Sequence, residues 1–272
     1  MPRLLLNRRR RGLSLAELLI AGTIMTMLAG GMGMLVTAVH SAGGHCREQT
    51  VAVQHGRSAL DRIDRAVRGA VGNEQFPGCL VIATTTGGYT FPDTLVVWSP
   101  ATLAADPTGL PRVSELLLFC PDPAAPNRLM EVRPAASDNT VCPALGSTSA
   151  WAALANSLKT AATSTKIELT DQLRTGTTAT NSTGTPAPST LRGCARFLLL
   201  MSPTAAEWAS YRSGTAAWDD LTWPLDLYGT TAGVRRVACQ TELQLVPGDP
   251  TAASQTAIPF FGSSVLTFEV SK

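Results

Sequence analysis

The stretch from Arg8 to Val39 limits what this chain can become more than any other. Four consecutive arginines, Arg8 to Arg11, precede Gly12 and then an apolar run broken by one charge, Glu17. As a helix, Leu13 to Val39 extends about 40 Å, more than the roughly 30 Å of a hydrocarbon core. A basic flank ahead of such a segment holds its arginines on the cytoplasmic side. The run therefore predicts a single-pass span in the inner membrane, with the N-terminus in the cytoplasm and the rest of the chain in the periplasm.

Three readings compete for this stretch. The first is an uncleaved membrane anchor. The second is a secretory signal, but its apolar core is normally about 7–15 residues long and ends in a small-residue cleavage site. Here the run is longer and no such site closes it; His45 stands where lipidation of Cys46 would want a small residue. The third accounts for Gly12 and Glu17 together. A carboxylate within a membrane helix costs about 2.5–3.5 kcal/mol on insertion scales and asks for a partner.

Gly12, Leu13, Ser14 and Glu17 resemble the signature of the type IV prepilin family. That signature is a basic leader ending in Gly, a hydrophobic residue, often a hydroxyl residue, and Glu at the fifth mature position. Leu13 departs from it, since Phe is commoner there. The resemblance implies that a prepilin peptidase cuts between Gly12 and Leu13 and that the new amine of Leu13 is N-methylated. It also implies that Glu17 serves assembly by neutralising the terminal amine of a neighbouring subunit. Opposite charges in a low-dielectric bundle attract strongly, and either one left alone is expensive.

Composition narrows the partners. The formal net charge is +2, but residues 1–12 carry five arginines, Arg3 and Arg8 to Arg11, so a chain cut after Gly12 stands at −3. This gives no basic surface for nucleic acid. The expected partners are the peptidase, other pilin or pseudopilin subunits and the membrane. Six cysteines, Cys46, Cys79, Cys120, Cys142, Cys194 and Cys239, are widely spaced with no C-x-x-C pair, which disfavours zinc. An even number on the oxidising side favours disulfides, with fifteen connectivities open; buried thiols are the alternative.

Past the span, Gly43-Gly44 marks a weak point, and the helical pattern resumes with Val53, Gly56, Leu60, Ile63 and Val67 on one stripe. Helix is expected from Leu13 to about Ala70. Gly30-Gly31 is either a flexible point or simple tolerance of glycine. Strands follow at Cys79 to Thr84, Thr94 to Trp98, Glu115 to Cys120 and Arg128 to Arg133. Residues 135–191 turn to Ala, Thr, Ser, Gly and Pro, with a short helix at Trp151 to Lys159, a short strand at Lys166 to Leu169 and a low-complexity loop at Gly176 to Thr190. Arg196 to Met201, Val234 to Val246 and Ser264 to Val270 read as further strands. Trp208, Trp218 and Trp223, among Asp219, Asp220 and Asp226, form either a binding face or a satellite core.

No dinucleotide fingerprint, P-loop or nucleophile elbow is present, and the acids after Trp218 lack the spacing of a calcium loop. His40 and His45 with Cys46 suit a polar patch beside the membrane better than a metal site. No enzyme and no cofactor are expected. The expected fold is α+β and pilin-like, a long N-terminal helix packed on an antiparallel sheet with long loops. Its parts are a leader (1–12), a membrane or filament-core helix (13–39), an amphipathic continuation (40–72) and a β-rich domain (73–272). Size and the run Arg57 to Arg62 resemble the PilW-like minor pilins and the J-type pseudopilins of type II secretion, subunits that prime assembly at a filament tip. The rival is an anchored periplasmic binding protein or enzyme unrelated to filaments.

Overall fold

The computed structural model describes residues 14–86, 89–177, 191–248 and 256–272. Helix α1 runs without interruption over Leu15–Arg68. Alanine, leucine and methionine favour it, no proline enters it, and Arg65 and Arg68 in its last turn complement the helix dipole. The expected weak point is not a break: Gly43 and Gly44 are helical, and nothing lies within 4 Å of where their side chains would stand. Two glycines cost a helix about 1 kcal/mol each, which the good helix formers on either side absorb.

The chain divides into two compact units, Met1–Glu48 and Gln49–Lys272. In the first, residues 14–48 are all helical or capping, and all are exposed.

The second unit is built on antiparallel strands. Strands β1 (Cys79–Thr86), β2 (Tyr89–Trp98), β3 (Leu116–Pro121), β4 (Leu129–Arg133) and β5 (Thr165–Thr170) form a five-stranded meander in chain order. Helix α2 (Thr148–Thr160) is inserted between β4 and β5. A two-stranded pair, β6 (Thr175–Thr177) and β7 (Leu191–Gly193), leads into β8 (Ala195–Ser202) and helix α3 (Ala205–Arg212). Strands β9 (Ala232–Leu245) and β10 (Ile258–Ser271) complete a second sheet in the order β10-β9-β8. Among the described residues, two larger sheets and the β6-β7 pair thus stand where a single sheet was expected. Most of the low-complexity segment Gly176 to Thr190 lies outside the described residues.

Alternation along the strands explains the layering. One face of the meander (Cys79, Val97, Leu117, Phe119) shares a core with the inner face of the second sheet (Phe197, Val237, Cys239, Leu243) and with Ala59, Ile63 and Val67 of α1. Its other face (Val96, Trp98, Leu118, Cys120) packs with Phe76 and with Trp151, Ala155 and Leu158 of α2. Burial on both faces is why β3 reads as the unbroken apolar run Leu116 to Phe119.

The buried stripe of α1 carries small residues, Ala52, Gly56, Ala59 and Ala66, beside Ile63 and Val67. Gly56 is required by close approach: a Cβ there would come within 2.7 Å of the Phe260 ring on β10. A charged clamp fixes the helix to β4. Arg62 donates through Nε (2.5 Å) and Nη2 (2.6 Å) to Glu131, which also accepts from Arg133 Nε at 3.0 Å. Glu131 is only 1% exposed. Burial pushes its carboxyl pKa up, but the bonds from Arg62 and Arg133 outweigh that and hold it below the ordinary value.

Candidate functional site

The N-terminal end of α1 holds what is described of the predicted processing and assembly site. Gly12 and Leu13 lie outside the described residues. Ser14 and Glu17 form a reciprocal cap: the Ser14 amide donates to Glu17 Oε2 at 2.9 Å, and the Glu17 amide donates to Ser14 Oγ at 3.3 Å. The Ser14 hydroxyl also reaches Glu17 Oε2 at 3.2 Å. The run Ser14-Leu15-Ala16-Glu17 ahead of an apolar stretch is a capping-box pattern, a signal present in the sequence but overshadowed by the charge of Glu17. Ser14 and Glu17 therefore have a local duty, satisfying amides that the first turn leaves without partners.

Beyond the cap, this helix is long and apolar enough to cross a membrane. Its hydroxyls do not contradict that. Thr23 donates to the Ile20 carbonyl (2.8 Å), Thr26 to Thr23 (2.9 Å), Thr37 to Gly33 (2.9 Å) and Ser41 to Ala38 (3.0 Å). Each polar hydrogen is thus satisfied inside the helix, as a lipid or apolar setting demands. Leu15, Leu18, Leu19, Ile24, Met27 and Leu28 are all exposed in the single chain.

The six cysteines singled out for disulfides are free thiols in the structure. Cys46 lies exposed on α1, whereas Cys79, Cys120, Cys142 and Cys239 are buried and Cys194 is half-buried. Burial pushes the thiols of Cys120 and Cys239 up to about 11 and that of Cys142 up to about 12, so none is a ready nucleophile near neutral pH. His55 sits beside β5, with Nδ1 3.3 Å from Thr170 Oγ1 and 3.9 Å from Asp171. Among the described residues, no three His, Cys, Asp or Glu side chains are grouped to hold a metal ion.

The tryptophan segment is a satellite core. Trp208, Trp218 and Trp223 are buried with Leu221 and Val270. Their indole N–H groups donate to the carbonyls of Glu74 (3.1 Å), Gly229 (2.9 Å) and Trp218 (2.9 Å). Buried Arg235 lies 4.6 Å from the Trp208 ring centroid, and desolvation lowers its pKa to about 10. The rings meet edge to face or tilted, with Trp208–Trp218, Trp208–Trp223 and Trp218–Trp223 centroids 6.4, 6.5 and 4.5 Å apart. Outside this region the buried charges also answer each other. Lys159 Nζ donates to Thr94 Oγ1 (2.6 Å), Thr94 donates to Asp93 (2.9 Å), and Arg192 stands 3.4 Å from the other Asp93 oxygen. Spacing in the sequence gives no warning of this cluster, because its members come from β2, α2 and β7.

The chain matches no protein-family model, no curated protein and no solved structure.

Proposed function

We propose that this chain is a structural subunit, a minor pilin or pseudopilin of the PilW-like or J-type kind, serving a type IV pilus or a related type II secretion filament. The carrying observation is the start of α1. Directly after the Gly12–Leu13 junction, a capped helix opens and runs through an exposed apolar length into a stripe buried between two sheets. An anchor needs only the first half of that helix. A filament subunit uses both: an apolar part to exchange lipid for sister helices, and a continuation of the helix that packs in the body the filament displays. The α+β architecture and an Arg62–Glu131 clamp between helix and sheet support the same reading.

In this proposal the N-terminus faces the cytoplasm and the sheets face the periplasm. Prepilin peptidase removes residues 1–12, and Leu13 becomes the methylated first residue. Glu17 then pairs with the Leu13 amine of a neighbouring subunit, a cation the helix itself does not supply, since its first Lys or Arg is Arg47. Mass spectrometry of the full chain purified from membranes tests this reading. A mature protein beginning at N-methylated Leu13 is expected. An intact Met1, or a start near Ala42, overturns the filament reading in favour of an anchored protein of another kind.

A further inference from the structure

We infer that Cys79 and Cys239 are disulfide partners, a covalent tie between the two sheets across the shared core. The inference rests on the proposed topology only for where the bond forms, not for which residues form it.

Cys120 and Cys142 belong to the apolar cluster on the other face of the meander, whereas Cys79 and Cys239 share the core between the sheets. The Cys142 amide donates to the Pro111 carbonyl at 2.9 Å, and Cys120 lies near the far end of β3. A disulfide needs Cα atoms within about 7 Å. Cys194 bonds through its amide to Arg174 (2.7 Å) and through its carbonyl to Gln244 (3.1 Å). Gln244 and Cys239 are five residues apart on β9, roughly 16 Å along the strand, which puts Cys194 out of reach of Cys239. Cys46 is exposed, whereas Cys79 and Cys239 are buried.

Cys79 and Cys239 converge instead. Cys79 opens β1 opposite Val97, on the face of the meander that meets the second sheet. Cys239 is central on β9, between Leu199 and Ser264, and points to the same core. Both are fully buried. Next to Cys79, Gly78 takes φ +81°, and a Cβ there would come within 2.4 Å of Leu266 Cδ2. Leu266 is two residues from Ser264, the direct cross-strand partner of Cys239. The start of β1 therefore presses on the inner face of the second sheet at the level of Cys239. Burial pushes the Cys79 thiol up, and Cys239 raises it further.

The bond forms by thiol–disulfide exchange with a disulfide-bearing oxidant. One thiolate attacks the oxidant's disulfide and releases one of its thiols; the second thiolate displaces the other, and the oxidant leaves as a dithiol. Two protons and two electrons pass from the cysteine pair in all. Because burial suppresses both thiolates in the closed core, exchange accompanies folding, before β1 settles over β9.

The test uses the full chain, denatured, reduced, and refolded in detergent with a mixture of reduced and oxidised glutathione. The sample is then quenched in acid, alkylated in denaturant without reduction, and mapped by mass spectrometry. A linked peptide pair holding Cys79 and Cys239, lighter by two hydrogens than the separate thiols, is the expected result. Alkylation of both residues, or linkage of either to another cysteine, overturns the pairing. Parallel mapping of protein taken from cell membranes separates the two claims. Linkage only after refolding upholds the pair and removes the periplasmic topology; linkage in both upholds both.

Discussion

At Glu17 the cap and the proposed filament contact ask for different chemistry, and two substitutions separate them. The cap needs an acceptor for the Ser14 amide, which a glutamine oxygen supplies as well as a carboxylate does. The contact with a neighbouring Leu13 amine needs the charge. Glu17→Ala loses both, although the amide of residue 17 still donates to Ser14 Oγ, so only half of the reciprocal cap goes. It is expected to insert in the membrane and be cleaved as usual, yet to appear at reduced level in sheared filaments relative to the membrane pool. Glu17→Gln should fall between alanine and wild type, because it keeps the hydrogen bond and loses the attraction. If glutamine incorporates as well as wild type, the cap alone explains Glu17. If alanine does too, Glu17 is no assembly contact.

At the level of elements, α1 answers the same kind of change with opposite signs along its length. Gly43 has nothing within 4 Å, so Gly43→Ala should add up to about 1 kcal/mol of helix stability with no steric cost. The expected signature is slower amide hydrogen exchange around residue 43 without a change in the melting of the sheets. Gly56 faces the Phe260 ring, so Gly56→Val overpacks the contact with β10 and should destabilise by about 1–3 kcal/mol. At about 2–4 °C per kcal/mol for a body of this size, a thermal melt resolves the loss. An unchanged melting temperature would mean that α1 does not pack on β10 as described. This contrast also marks what the sequence could disclose. The stripe through Gly56, Ile63 and Val67 is periodic, so the helix and its buried face were legible, as were most strands, within a few residues. That Gly56 meets Phe260, some two hundred residues later, is a tertiary fact with no local signature. The split into two sheets is hidden for a similar reason: Leu116 to Phe119 shows burial on both faces but not what covers each face. The bond from Arg62 to Glu131 joins α1 to β4, and no spacing rule links residues that far apart in sequence.

For the whole molecule, that last clamp sets how stability responds to acid. Glu131 joins α1 to the meander from a site closed to water, and its carboxyl is held below its ordinary range by Arg62 and Arg133 against the opposing effect of burial. Exposed Asp106 and Glu207 are lowered as well, Asp106 first by the Thr108 hydroxyl and Glu207 first by that of Thr222. A carboxylate whose folded pKa lies below its unfolded value, about 4.3 for glutamate, gives stability that is fully present above that value and is lost as pH falls through the folded one. The melting temperature of the full chain in detergent should therefore hold between pH 7 and pH 5 and drop as pH falls below about 4.3. Glu131→Gln keeps one acceptor oxygen for the two arginines, sets an amide NH2 against Arg62 Nε in place of the second, and leaves two cations without their counter-charge. It should melt lower than wild type at pH 7 and show a flatter decline into acid, so that the two curves approach each other near pH 3. Parallel curves would locate the acid sensitivity in the exposed carboxylates instead. The helix would then be held to the sheet by apolar packing, with Glu131 contributing no net charge attraction.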